Sequence, residues 1–404
     1  MRSSLVPSAG GRGIARTRQP DHEGYLGRRF FGSLDGLRCV CILAVLWHHA
    51  PRPDIGLRIQ NYGFLGVGMF FVLSGYLIVT LLLRERDAAG RISLRDFYAR
   101  RTIRIFPIYY LLLAAMAIVY LTVKAGSGEA ERFFSELPYF ATYTSNWIHT
   151  ETMNLGVLWS LAAEEQFYLL WPLVEKLGRP RLTLALLVAI LGVNQLVNFG
   201  VTDPWTGRAF GSGFANLEIT QATFTPIALG VVLAHALHDR RWFDRIARLL
   251  QPGWTPALFI AGIGVLLTIG PADLSGWPRL TVHLLMTLLL ASLVVRERHC
   301  LAPVFGLRPI ARLGQISYGM YLYHMWCITA VNALVARSPL EPKSITTSVV
   351  ALIASVVLTA VVAEISFRLI EAPLLKLKKH FQARQRPAAG DDPPTRSSAS
   401  RPAD

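Results

Sequence analysis

Residues 33–50 read SLDGLRCVCILAVLWHHA, an apolar run long enough to enter a bilayer, with Arg38 near one end and His49 at the other. On a helix, the eleven positions from 38 to 49 make almost three whole turns at about 100° per residue. Arg38 and His49 then project from roughly one face, about 16 Å apart along the axis, while His48 points about 100° away. An ionisable pair in hydrocarbon costs roughly several kcal/mol unless water, a partner or a substrate meets it. The pair therefore marks a functional site, with a structural ion or hydrogen-bond partner as the alternative.

The rest of the chain supplies the context for such a helix. A sequence of 404 residues that is 52% hydrophobic and only 17% charged, with mean hydropathy +0.38, is too apolar for one soluble domain and fits a polytopic membrane protein. The formal net charge of +15 would suggest nucleic acid in a soluble chain. Here the basic residues gather at the ends of apolar runs, as in cytoplasmic loops that meet anionic membrane lipids, and nucleic-acid binding is not expected. Cys39, Cys41, Cys300 and Cys327 show neither metal-like nor disulfide-framework spacing and read as small apolar residues.

Apolar stretches near 34–51, 62–83, 103–123, 156–176, 182–200, 218–237, 255–270, 279–295, 315–336 and 346–369 predict about ten membrane-spanning helices. Loops rich in arginine alternate with poorer ones. Arg84, Arg86, Arg91, Arg95, Arg100, Arg101 and Arg104 fall on one side, whereas 124–155 carries Glu129, Glu131, Glu136 and Glu151. The positive-inside rule then places both termini in the cytoplasm. The expected architecture is all-α: a membrane helical bundle over 32–375 between a basic, disordered tail (1–31) and a second disordered tail (376–404).

In this topology Trp159, Glu164 and Glu165, within LWSLAAEEQFYLLWPL, share the outer half of the bundle with His49. Two adjacent carboxylates in an apolar helix cannot both face lipid cheaply. A His49–glutamate pair would form a general base, the carboxylate fixing the tautomer; a buried structural ion pair is the alternative. In FYARRTIRIFPIYY, Arg101 and Arg104 share a face at the cytoplasmic surface. They read either as topology signals or as a phosphate clamp of arginine forks. FLGVGMFFVLSGYLI places Gly66, Gly68 and Gly75 beside Ser74, small residues that allow close packing or close approach of a ligand. The ninth stretch adds Ser317, Tyr318 and His324. Nucleophile elbows, HExxH and Walker loops are absent from the sequence, and no metal site is expected.

Taken together, these segments and the closing FRLIEAPL resemble, in order and spacing, the acyltransferase-3 family of integral membrane acyltransferases, which includes O-antigen acetylases. The resemblance runs over residues 32–375. It implies that Arg38 and His49 form the family's Arg-x10-His motif with His49 essential, and that Arg101 and Arg104 form the RxxR element associated with acyl-coenzyme A. SGYL (Ser74, Gly75, Tyr76) and WSL (Trp159, Ser160), with Glu164 and Glu165, complete the family's core. Cys39-Val40-Cys41 replaces the common Gly-Ile-Ala, a change of packing more than of chemistry.

The resemblance implies an O-acyltransferase of the bacterial inner membrane, with acetyl-coenzyme A the commonest donor. The acceptor would be a carbohydrate or glycolipid hydroxyl, or a small natural product such as a macrolide. Catalysis would fall to His49 with Glu164 or Glu165; donor binding to Arg38, Arg101 and Arg104; and the substrate pocket to Ser74, Gly75, Tyr76, Trp159, Ser160, Tyr318 and His324. The competing class is a proton-coupled transporter of an anionic solute.

Overall fold

The computed structural model describes residues 21–377 apart from 29–30, 153, 206–223, 272–273, 340 and 342–343. The described residues form helices and connecting turns, with no strand among them. The helices are α1 (His22–Gly27), α2 (Gly32–His49), α3 (Leu65–Ala89), α4 (Leu94–Thr122), α5 (Gly128–Ala141), α6 (Trp159–Leu177), α7 (Pro180–Asn198) and α8 (Phe224–His238). Next come α9 (Arg240–Leu249), α10 (Thr255–Ile269), α11 (Trp277–Val295), α12 (Ala302–Phe305) and α13 (Arg308–Gln315). The series ends with α14 (Ser317–Val335), α15 (Ile345–Ser366) and α16 (Ala372–Leu377).

Each of the ten apolar stretches carries a helix: α2, α3, α4, α6, α7, α8, α10, α11, α14 and α15. Among the described residues, five helical segments are long and apolar enough to cross a membrane by length and composition. They are Leu65–Ala89, Leu94–Thr122, Pro180–Asn198, Trp277–Val295 and Ile345–Leu377. The helices α8 and α10 are shorter. Polar side chains dilute α2, α6 and α14, and those same helices carry Arg38, Glu164 and His324.

Helix α3 lies at the centre, packed most extensively along α8. The contact is possible because both helices present glycine there. A Cβ on Gly75 would stand 2.1 Å from the Ile227 carbonyl oxygen, and one on Gly230 would stand 2.2 Å from that of Val72. This is the small-residue packing that lets membrane helices approach closely. Helix α2 packs on α3, α13 and α14, and α14 on α15.

The N-terminal tail expected over 1–31 ends earlier. Residues 22–27 form α1, capped by Asp21. Tyr25 is buried, its hydroxyl 3.0 Å from that of Tyr76, while Arg84 donates to the Tyr25 and Arg28 carbonyls. The aromatic anchor and the guanidinium fold this piece onto the bundle despite its basic composition. Residues 1–20 and 378–404, the bulk of both expected tails, lie outside the described residues.

Candidate active site

Arg38 and His49, both on α2, reach two different cavities. Arg38 lines one of about 290 Å³, and His49 lines one of about 590 Å³.

The smaller cavity is built by α2, α3, α4, α6 and α14, and it gathers arginines. Arg38 donates to the buried Asp35 one turn earlier, Nη1 to Oδ1 at 2.8 Å; the other Asp35 oxygen accepts from Gln315 Nε2 at 3.3 Å. The Arg101 guanidinium sits 5.0 Å from the centre of the Tyr168 ring. Arg104, three residues on and on the same helical face, lines the same space. Glu164 accepts hydrogen bonds from the Ser74 and Tyr168 hydroxyls, the latter on its own helix at i+4. Glu165, Ser160 and Tyr318 complete the lining, Tyr318 donating to the Ile105 carbonyl at 3.2 Å. In all, four guanidiniums (Arg38, Arg84, Arg101, Arg104) face three carboxylates (Asp35, Glu164, Glu165). That balance leaves the cavity formally cationic, suited to an anionic group.

The larger cavity is a histidine chamber. His48 and His49 meet edge to face with ring centroids 4.9 Å apart, and both line the space, as do His283 from α11 and Trp159. Trp159 stands edge-on to Phe71 at 5.9 Å. Behind His49 lies the fully buried His324, 5.2 Å between ring centroids. The segment between α5 and α6 contributes His149, Glu151 and Asn154 to the rim.

Val67, Phe71 and Tyr321 line both cavities and form the partition between them. Tyr321 is fixed there: its hydroxyl lies 2.6 Å from that of Ser160 and donates to the Val157 carbonyl at 2.9 Å.

Several expected site residues fall elsewhere than the sequence suggests. Glu164 and Glu165 do not stand beside His49; they belong to the arginine cavity, because the face of α6 that carries them turns toward α3 and α4. Gly75 and Tyr76 line neither cavity. Gly75 is consumed by the α3–α8 contact, and Tyr76 is buried against Tyr25. His324 lies behind the chamber wall instead of in it. Of the small residues in α3, Gly66 packs on the Cys41 carbonyl while Gly68 faces the histidine chamber.

Four contributors escape the motif reading: Asp35, Tyr168, His283 and Tyr321. Asp35 and Tyr168 carry a usable signal, one helical turn from Arg38 and Glu164 respectively. His283 is an ionisable residue in an apolar helix, itself a flag. Cys39, Cys41 and Cys327 are buried and unpaired, and Cys300 is exposed. Among the described residues, no group of three or more His, Cys, Asp or Glu is placed to hold a metal ion.

Comparison with known proteins gives a consistent picture. The family model described as "Acyltransferase domain" matches residues 31–364. The O-acetyltransferase OatA of Staphylococcus aureus (strain NCTC 8325 / PS 47) is 28% identical over 377 residues, covering 88% of this chain and 58% of that protein. The peptidoglycan O-acetyltransferase OatA of Listeria monocytogenes is 28% identical over 374 residues, covering 86% and 56%. A putative O-acetyltransferase of Staphylococcus aureus (strain COL) is 27% identical, covering 87% and 58%. The chain thus spans less than two thirds of the length of these relatives. No solved structure matches.

Proposed function

The chain belongs to the acyltransferase-3 family, and from that membership we propose that it is a bacterial membrane O-acyltransferase. It moves an acyl group, acetyl first among candidates, from acyl-coenzyme A to a hydroxyl of a carbohydrate or glycosylated acceptor. The supporting observation is the pair of abutting cavities, one cationic and one lined by histidines, separated only by Val67, Phe71 and Tyr321.

The ten apolar stretches act as ten crossings with both termini in the cytoplasm, so the arginine-rich loop before α4 lies inside. Acyl-coenzyme A then enters from the cytoplasm. Its phosphate oxygens meet the forks of Arg101 and Arg104, with Arg38, held by Asp35, as a third cation. Glu164, committed to Ser74 and Tyr168, offsets the arginines and keeps them oriented when no donor is present. The long, uncharged pantetheine arm carries the thioester through the partition toward His49.

The acceptor occupies the histidine chamber, its sugar ring against Trp159. His49 removes the proton of the attacking hydroxyl. The oxygen adds to the thioester carbonyl, the new C–O ester bond forms as the C–S bond breaks, and the thiolate leaves with the proton returned from His49. Holding donor and acceptor on either side of one thin partition turns a bimolecular encounter into a local one, an advantage worth up to about 7–11 kcal/mol of barrier in well-oriented systems.

The name of the Listeria relative, a peptidoglycan O-acetyltransferase, makes a cell-envelope polysaccharide the first acceptor to try. Membranes holding the protein are incubated with acetyl-labelled coenzyme A and isolated cell-wall glycan. Base-labile label on the glycan, lost in His49→Gln, supports the reading. Uptake of an anionic solute into vesicles without acyl-coenzyme A, and no ester label on glycan, would overturn it in favour of a transporter.

A further inference from the structure

His324 lies outside the mechanism above, yet it is the most constrained ionisable side chain near His49. Its ring is fully buried on α14. Nδ1 lies 2.6 Å from the Tyr321 backbone carbonyl, and a carbonyl only accepts, so Nδ1 carries the ring proton of the neutral imidazole. Nε2 is then a bare acceptor. It is buried and has no hydrogen-bond partner among the described residues, a state that is costly for a buried polar atom. The neighbouring ring is His49, 5.2 Å away between centroids and tilted by 53°. His49 is exposed in the histidine chamber, whereas His324 is buried and held by its bond to the Tyr321 carbonyl.

We propose that His324 is a positioning residue for His49: its bare Nε2 accepts the N–H of the His49 ring and so selects the tautomer whose other nitrogen is unprotonated and faces the chamber. This inference rests on the proposed role of His49 as general base. The two rings do the work that a carboxylate does in a His–Asp pair, with the carboxylate replaced by a neutral acceptor whose own tautomer is fixed by a backbone carbonyl. The proton taken from the acceptor hydroxyl stays on His49 until the thiolate collects it. His324 keeps its own proton throughout and accepts the His49 N–H more strongly while His49 is charged. A neutral acceptor also suits the site, because an additional buried carboxylate there would carry its own desolvation cost.

The test exploits the difference between the two ring nitrogens. A glutamine side chain places its amide at the position of Nε2, and an asparagine at that of Nδ1. His324→Gln therefore keeps an acceptor for His49, whereas His324→Asn keeps the bond to Tyr321 and loses that acceptor. The full chain is labelled with ring-¹⁵N histidine, placed in lipid nanodiscs, and the His49 signals are identified by their loss in His49→Gln. Wild type and His324→Gln are expected to show one His49 tautomer; His324→Asn and His324→Phe are expected to show a mixture. In parallel, transfer of acetyl label to cell-wall glycan is expected to retain KM for acetyl-coenzyme A in all four proteins. The rate kcat is expected to fall on the order of 10²-fold in the asparagine and phenylalanine variants, and by far less in glutamine. An unchanged His49 tautomer in His324→Asn overturns the proposal, as does an asparagine variant that performs as well as glutamine. The ring signals need no substrate. A single His49 tautomer controlled by His324 in a protein without transferase activity would therefore refute the acyltransferase reading while leaving the pairing intact.

Discussion

The hydroxyls of Ser160 and Tyr321 meet at 2.6 Å, and both lean on the Val157 carbonyl, which holds the Tyr321 ring as a fixed slat between the two cavities. With Val67 and Phe71 it forms the wall that the two cavities share among the described residues, and on the proposed mechanism the acyl group passes it. A methylene in such an apolar slot is worth roughly 1–3 kcal/mol of discrimination, about 10–200-fold. Phe71→Ala is expected to raise kcat/KM for butyryl- over acetyl-coenzyme A by about tenfold or more, while Val67→Phe is expected to lower turnover of every acyl donor. Competition assays with the two thioesters check both.

The arginine cavity makes a second prediction, and it separates donor binding from chemistry. On the proposed donor site, Arg101→Gln and Arg104→Gln would each remove a charge-assisted contact to phosphate worth about 1.5–3 kcal/mol. The KM for acetyl-coenzyme A is expected to rise about 10–100-fold, with kcat changed far less. Glu164→Gln is expected to act on the same parameter, because Glu164 is tied to Ser74 and Tyr168 beside Arg101 and not to His49. A kcat defect in Glu164→Gln with unchanged donor KM would return that carboxylate to His49 and contradict the observed arrangement. Initial rates over a range of acetyl-coenzyme A concentrations decide it.

The third prediction concerns two glycines of one helix. A Cβ at Gly75 meets the Ile227 carbonyl at 2.1 Å, a backbone atom that cannot swing aside, so Gly75→Ala must part α3 from α8. The expected cost is about 1–3 kcal/mol, seen as a lower unfolding temperature in detergent. Gly68→Ala has room: the nearest atoms are the Met286 sulfur at 3.8 Å and His283 Nε2 at 3.9 Å. It is expected to keep stability while narrowing the histidine chamber, raising KM for the acceptor.

What the sequence made legible, and what it concealed, follows from the range over which each signal acts. Helical character is local, written in apolar runs, and every stretch read as a span contains a helix. The charge on Arg38, Arg101 and Arg104 in apolar surroundings is equally local, and the three do gather in one cavity. The different neighbour of Glu164, Ser74 in place of His49, comes from rotation of α6. Placing His49 and Glu164 in the same half of the bundle says nothing about which neighbour each helix face meets, and α6 turns Glu164 to Ser74. Depth was inferred from a chain, whereas azimuth depends on packing against α3 and α4. The same limit hid the roles of Gly75, whose packing partner Ile227 lies 152 positions away in the chain, and of Tyr321, which only the fold places at the partition. Composition misled at residues 22–28, where one buried tyrosine and one guanidinium outweigh a basic, glycine-containing context.

The orientation of the bundle is open to a test on the native cysteines. Of the four cysteines, Cys39, Cys41 and Cys327 are buried and only Cys300 is exposed. Cys300 sits between α11 and α12, in a loop that also carries Arg296 and Arg298 and that the positive-inside rule assigns to the cytoplasm. A thiolate must be reachable to react, so a membrane-impermeant maleimide is expected to label inside-out vesicles stoichiometrically and intact spheroplasts hardly at all. Cys300→Ser is expected to abolish the label in both. Equal labelling of sealed spheroplasts would place the α11–α12 loop outside. The arginine cavity would then lose its cytoplasmic approach, and the donor could no longer be a cytoplasmic thioester.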